Sequence, residues 1–275
     1  MPLRLQAHVV TKVRNFESSN VIAKLEGSDP RYRNQAVIYT AHYDHLGIRP
    51  GMAGDNIFNG AEDNATGCAV LMEMARVFAA ASERPRRSIL FATVTAEEQG
   101  LLGSEYLGKN PPIPAARIVL NLNFDGIPPR GEPEQIEVSG SERTSFYPVV
   151  KSTAESFGME IVPDSNTSAG HYYRSDHFSL ARVGVPAFSV NAGLKFKGHT
   201  VEWGRQQEDE YTAKRYHQPG DQYTEAMDFT TQQTLARFGF TLGWKAALLR
   251  QGVEWQPGDE FEAARRASRR AVGAQ

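Results

Sequence analysis

Three short, uninterrupted apolar runs constrain this chain more than any other feature: Ala36 to Ala41, Ser88 to Thr95, and Ile118 to Phe124. A strand with one wet face alternates apolar and polar residues, whereas a continuous run belongs in a sheet covered on both faces. Between the first two runs lie Val70, Leu71, Met74, Ala75 and Phe78, at the three- and four-residue spacings of an amphipathic helix. A shorter helical stretch, about Leu101 to Leu107, separates the second run from the third and is closed by Gly108 and Pro111-Pro112. Strand, helix, strand, helix, strand in this order implies α/β architecture, with parallel pairing through right-handed crossovers.

Around this centre the pattern is weaker. Leu3, Leu5, Ala7 and Val9 alternate with polar residues, which predicts an edge strand over 3–13 pairing with a second strand at 20–27 in a hairpin-like edge. The second half predicts a helix over 144–157, a strand over 159–162, a short helix over 175–181 and a strand over 185–190. A long helix over 229–250 follows, with Leu235, Phe238, Leu242 and Leu249 on its buried side. The stretch from 191 to 216 shows no clear period and reads as irregular, with Phe196, Trp203 and Tyr211 expected to shape a pocket. At 275 residues and 40% hydrophobic content one large core suffices, so 1–252 is read as a single catalytic domain. Residues 253–275 are read as a polar, Arg-rich tail, with Arg265-Arg266 and Arg269-Arg270 on a solvated helical face.

The chemistry sits where the three runs stop. In open α/β sheets ligands bind outside the carboxyl ends of the strands, and here those ends read His42-Tyr43-Asp44-His45, Glu97-Glu98 and Asp125-Gly126. A period of two puts His42 and Asp44 on the same side, where the carboxylate can hold the imidazole. Glu97 and Glu98, if extended, point to opposite sides, which suggests a metal ligand beside a general base. Asp63 or Asn64 lies near the amino end of the first helix, Asp63 either as its cap or as an acidic flank of a metal site.

The single cysteine, Cys68, reads as a buried structural thiol and leaves any metal to His, Asp and Glu. Such a donor set suits zinc, cobalt or manganese at two neighbouring positions sharing a carboxylate. Two metals about 3.5–4 Å apart can bind a common hydroxide and polarise a carbonyl, which is hydrolytic chemistry. Spacing alone leaves the second imidazole open among His171, His177, His199 and His217. There is no Gly-x-Ser-x-Gly elbow for a serine nucleophile and no phosphate-binding glycine loop. A formal net charge of −2 gives no pull towards nucleic acid or anionic membrane. No apolar run approaches the ~18 residues that span a bilayer. Charge and hydropathy thus point to no nucleic acid and no membrane insertion, and partners must be inferred from the site.

Five separated motifs then carry a resemblance. His42-x-Asp44, Gly60-Ala-Glu-Asp63-Asn, Glu97-Glu98-x-Gly-Leu-Leu-Gly-Ser, Asn123-Phe-Asp125 and Tyr216-His217-x-Pro-x-Asp221 resemble, in order, the bacterial double-zinc aminopeptidases, relatives of aminopeptidase Y and the glutamate carboxypeptidases. The resemblance implies a three-layer α/β/α sandwich with a central mixed, mostly parallel sheet of the zinc-exopeptidase type. It implies two zinc ions, with cobalt or manganese as substitutes: Asp63 bridging, His42 and Asp125 completing one site, Glu98 and His217 the other. It makes Glu97 the general base, Asp44 the residue that orients His42, and Tyr172 a steadier of the oxyanion. It also implies a cis peptide at Asp63-Asn64 and an extracytoplasmic location. Neither the secretory leader nor the protease-associated domain of many relatives is visible in this chain. The activity the resemblance implies is removal of amino-terminal residues from a peptide or small aminoacyl substrate. A glutaminyl cyclase-like acyltransferase, a carboxypeptidase or dipeptidase of the same fold, and a binding module without catalysis are the alternatives.

Overall fold

The computed structural model describes residues 3–11, 13, 15–164 and 170–273. Its strands are β1 (Val21–Leu25), β2 (Ala36–His42), β3 (Gly47–Ile48), β4 (Ile57–Phe58), β5 (Ser88–Val94), β6 (Ile118–Asn123), β7 (Gln135–Ser139), β8 (Glu160–Ile161) and β9 (Ala187–Ala192). Its helices are α1 (Thr66–Ala80), α2 (Leu102–Lys109), α3 (Tyr147–Ser156), α4 (His177–Arg182), α5 (Val201–Lys214), α6 (Thr230–Leu248) and α7 (Glu262–Gly273). Seven strands form one sheet in the order β1-β5-β2-β6-β9-β7-β8, and β3 pairs with β4 apart from it. The inner strands β5, β2, β6 and β9 run parallel, while β1 and β7 join antiparallel at either side. This is the mixed, mostly parallel sheet that was expected, between helices on both faces.

The apolar runs are continuous because each face of the sheet has its own core. Val37, Tyr39 and Ala41 of β2 pack with α1 and α6, and Ala36 and Ile38 pack with Leu107 of α2 and Leu180 of α4. Each buried Val, Ile or Leu among them stabilises the fold by about 1.5–3 kcal/mol. Helix α6 lies close on the sheet because it turns glycines towards it: the Tyr39 hydroxyl donates to the Gly239 carbonyl at 2.9 Å, and a Cβ on Gly243 would collide with that hydroxyl. The α1 stripe is as predicted, with Val70, Leu71, Met74 and Phe78 buried. No helix among the described residues is long and apolar enough to cross a membrane.

Three expectations change. The described residues between 3 and 13 form no strand, and Leu3 and Leu5 are almost fully exposed; β1 instead pairs antiparallel with β5, from Val21 opposite Thr93 to Leu25 opposite Ile89. Alternation gives a strand only where a neighbour supplies the other half of the ladder. The stretch read as irregular holds α5, opened by Thr200, whose Oγ1 accepts from the Trp203 amide at 3.3 Å. Only Gly204 and Tyr211 of α5 are buried, so it carries no apolar stripe to read.

Arg265 is the third change. It is 2% exposed and donates through Nη1 to the Ala115 and Ile118 carbonyls, both at 3.0 Å, while Arg266, Arg269 and Arg270 do face solvent. Burial lowers its pKa to about 10. Val253, Trp255 and Phe261 are buried nearby in the chain, so the residues after 252 pack onto the body.

Candidate metal centre

Parallel register gathers the acidic ends. His42 lies opposite Val94 of β5, and Thr40 lies opposite Asn123 of β6, so the residues that follow each strand emerge side by side. The turn Ala61–Ala65 before α1 adds Asp63, and the loop after α5 adds His217. His42 Nε2 stands 3.0 Å from Asp125 Oδ1 and 3.1 Å from Asp63 Oδ1. His217 Nε2 stands 3.0 Å from Glu98 Oε2 and 3.3 Å from Asp63 Oδ2. Asp63 thus offers one oxygen to each of two imidazole–carboxylate pairs. His171, His177 and His199, the other imidazoles left open by spacing, take no part. His171 meets Asp164, buried His177 packs on Tyr172, and His199 stacks on Trp203.

The electrostatics show a surplus of negative charge. Burial pushes the Glu97 carboxyl up to about 9, and Asp125, Asp176 and Glu98 add to the effect while His42 opposes it. Burial would lower the His42 imidazole, but Asp125 and Asp63 outweigh it and hold it well above its ordinary range. Asp63 goes the other way: burial would raise it, but hydrogen bonds from His217 and His42 bring it below the usual carboxylate range. His217 is raised, chiefly by Asp63. Ligand atoms of His42, Asp63 and Asp125 converge within 4.8 Å of one another, as do those of His42, Glu97 and Glu98. Among the described residues the ion pairs of Asp63, Glu98 and Asp125 run to imidazoles, and buried Glu98 Oε1 lacks any hydrogen-bond donor. An all-oxygen-and-nitrogen donor set with uncompensated charge fits a divalent cation.

The backbone around the acids is held by side chains. Ala96 adopts φ 54°, a left-handed conformation costing of order 1–3 kcal/mol. It is secured by its amide donating to Asp44 Oδ1 at 2.7 Å, with the Thr95 hydroxyl on Asp44 Oδ2 at 2.5 Å. Strand β5 ends at Val94, and 97–100 is a turn closed by the Gly100 and Leu101 amides on the Glu97 carbonyl. Glu97 and Glu98 are therefore not splayed by a pleat as expected: both reach the His42 side of the cluster. Asp44 also differs from expectation. Its carbonyl, not its carboxylate, meets His42 Nδ1, at 3.0 Å.

Three supports carried no role in the sequence reading. Asp221, fully buried, accepts the Glu62 and Asp63 amides at 3.0 Å each and so aims the turn; its place in the last motif was the only signal. Ser175 donates to Asp125 Oδ2 at 2.5 Å and receives Asn123 Nδ2 at 2.8 Å. Asn64, after a cis Asp63-Asn64 peptide, donates to the Phe124 carbonyl and accepts the Gly67 amide, each at 3.0 Å. Cys68 is half-buried and gives its thiol hydrogen to the His42 carbonyl at 3.2 Å, and burial pushes its pKa up to about 11.

Tyr172 is not brought to this cluster. Its hydroxyl donates to the Ala187 carbonyl at 3.2 Å, and Ala187 lies opposite Asn121, four residues before Asp125. Its ring packs against His177 and Phe261 beneath the Arg143 guanidinium. Phe261 comes from a part of the chain whose packing the motif does not encode.

The carboxyl edge of the sheet thus gathers acids, imidazoles and an amide-anchored aspartate, a donor set that fits a divalent cation. The model of peptidase family M28 matches residues 20–240, and the chain belongs to that family. The leupeptin-inactivating enzyme 1 of Streptomyces exfoliatus is 26% identical over 272 residues, covering 93% of this chain and 55% of that protein. A probable zinc metalloprotease of Pyrenophora teres f. teres is 38% identical over 108 residues, 39% of this chain and 21% of that protein. The chain thus spans from about a fifth to about half of these relatives' lengths. Among solved structures, BSAP, a zinc aminopeptidase from Bacillus subtilis, superposes with a TM-score of 0.60 at 21% identity, covering 88% of this chain and 52% of that one. The glutaminyl cyclase of Porphyromonas gingivalis superposes with 0.54 at 17% identity, covering 81% and 76%. At these identities the likeness shows the fold.

Proposed function

We propose that this chain is a zinc-dependent exopeptidase that removes amino-terminal residues from peptides. The observation that carries the reading is Asp63, whose two oxygens face His42–Asp125 on one side and His217–Glu98 on the other. In this reading His42, Asp125 and one oxygen of Asp63 would hold one zinc ion, and Glu98, His217 and the other oxygen of Asp63 a second. Bound zinc would supply the Lewis acidity that carbonyl polarisation and water activation require. The names of the zinc metalloprotease and zinc aminopeptidase relatives support that metal.

The remaining steps belong to the chain itself. His42 gives its Nδ1 hydrogen to the Asp44 carbonyl, which leaves Nε2 as the free ligand atom and sets the tautomer. Glu97 accepts the proton of the attacking water and returns it to the departing amine as the peptide bond breaks. Burial raises its proton affinity in the metal-free chain, and cations bound beside it would lower that affinity towards the range of a base. Ser175 and Asp221 keep Asp125 and the Asp63 turn in register with that reaction.

Metal analysis combined with aminoacyl-anilide turnover, before and after chelation, tests the reading. Two zinc ions per chain and turnover lost on chelation are expected. The cyclase likeness favours a second reading, cyclisation of amino-terminal glutamine with a single metal. One ion per chain and a product lighter by ammonia, found by mass spectrometry, would replace the peptidase reading with that one.

A further inference from the structure

One imidazole in the cluster is used neither by the proposed ligand set nor by the proton transfer. The His45 side chain is 5% exposed, yet neither of its ring nitrogens has a hydrogen-bond partner. Its Nδ1 lies 2.6 Å from Glu98 Oε1, which is also buried and also without a partner. That separation suits a hydrogen bond, but the direction does not: an N–H on Nδ1 would miss the oxygen. Two donor atoms brought together that do not point at each other can both serve a third position, as two ligands of one cation do.

The rest of that position is also present. One ligand atom each from His45, Asp63 and Glu98 lie within 4.8 Å of one another. His217 closes the other side, its ring centroid 5.5 Å from that of His45 at an interplanar angle of 70°. The backbone is shaped to hold the ring there. Gly60 has φ 66°, and a Cβ on it would meet His45 Cβ and Cγ at 2.9 Å and collide with the Asp63 carbonyl. His45 is thus wedged between Gly60 and Glu98.

We propose that His45 Nδ1 is a further ligand of the cation held by Glu98, Asp63 and His217. The inference rests on the two-metal reading above and makes its two positions unequal. One would be held by four side chains and the other by three, His42, Asp125 and Asp63, beside Glu97. The ion at the His45 position is therefore the slower to leave.

The test uses the full chain loaded with cobalt(II), whose paramagnetism shifts the exchangeable ring N–H protons of bound imidazoles far outside the ordinary proton spectrum. Three such resonances are expected, from His42, His45 and His217. In His45→Ala one disappears, and the affinity for the more tightly held ion, measured by chelator competition, falls by about 100-fold or more, above the ~10–100-fold cost of losing an outer partner of a ligand. The wild-type count needs no variant, so it decides the matter even if His45→Ala folds poorly. Two resonances in a chain holding two cobalt ions, or an unchanged affinity in a folded variant, would overturn the assignment of His45 and leave the two-metal reading intact. A wild-type chain that binds no cobalt would overturn both.

Discussion

Glu62 and Asp63 are adjacent, both buried, and share one anchor in Asp221, yet their surroundings differ in what balances their charge. Glu62 faces guanidinium groups: Arg130 at 3.1 Å and Arg215 at 3.9 Å, with Arg130 itself held by Glu208 at 2.8 Å. Burial still raises Glu62 to about 7, against the pull of Arg130. Asp63 faces imidazoles and, beyond them, more carboxylates. A buried charge answered by fixed cations of the same chain is a structural device, whereas one answered by titratable groups amid further acids leaves room for a cation from solution. The backbone treats the two residues alike, and the side chains beyond it give them different work.

The largest effect expected from this contrast is on metal removal. Chelation, or Asp63→Asn, is expected to abolish aminoacyl-anilide hydrolysis, while Glu62→Gln keeps its zinc; zinc loss in Glu62→Gln, read by metal analysis, would erase the contrast. The pH dependence follows in sign. In the metal-free chain the folded pKa of Glu97 lies near 9, above its ordinary 4.5. Stability from this group is present below the ordinary value and is lost as pH rises through the folded one. His42, also raised, acts in the same direction. The gain in Tm on adding zinc should therefore widen from about pH 5 to about pH 9. A gain that narrowed over that range would place the charge surplus elsewhere.

Next in size is the proton carrier. Glu97→Gln should lower kcat by about 10²–10⁴-fold with both zinc ions retained; full turnover in that variant would remove Glu97 from the reaction. On the balanced side, Arg130→Ala leaves Glu62 buried without its closest partner and should cost about 3–5 kcal/mol in denaturant unfolding. Zinc stoichiometry should not change.

The smallest effect separates the metal centre from the Tyr172 cluster. Tyr172→Phe should lose only the hydrogen bond to Ala187, about 1 kcal/mol of stability, with kcat nearly unchanged. A fall in kcat of about 10²–10³-fold would restore the oxyanion role instead.

Much of the fold was legible because it rests on local patterns: runs that must be apolar on both faces, and a helix stripe at Val70, Leu71, Met74 and Phe78. Helix α5 was not, because a helix that buries little carries no period. Arg265 was not either, because what decides its burial is a pair of carbonyls about 150 residues away. Within the site, Asp63, Glu97, Glu98 and Asp125 could be named from strand-end and helix-start position. His217 needed the family motif, since spacing could not choose among four imidazoles. His45 stood in the quoted strand end without a role, because only the orientation of its ring against Glu98 suggests one.

The sequence by itself determined which strands are buried, that their ends are acidic, and that any metal must be held by oxygen and nitrogen; these follow from residue type and period. Tertiary structure alone decided that Glu97 and Glu98 reach the same side of the cluster, that Asp44 works on His42 through its carbonyl, and that Tyr172 belongs to another cluster. The physical reason is that the register of parallel strands and the aim of a side chain are set by partners far along the chain. His42 meets Asp125 across 83 residues and Asp63 meets Asp221 across 158.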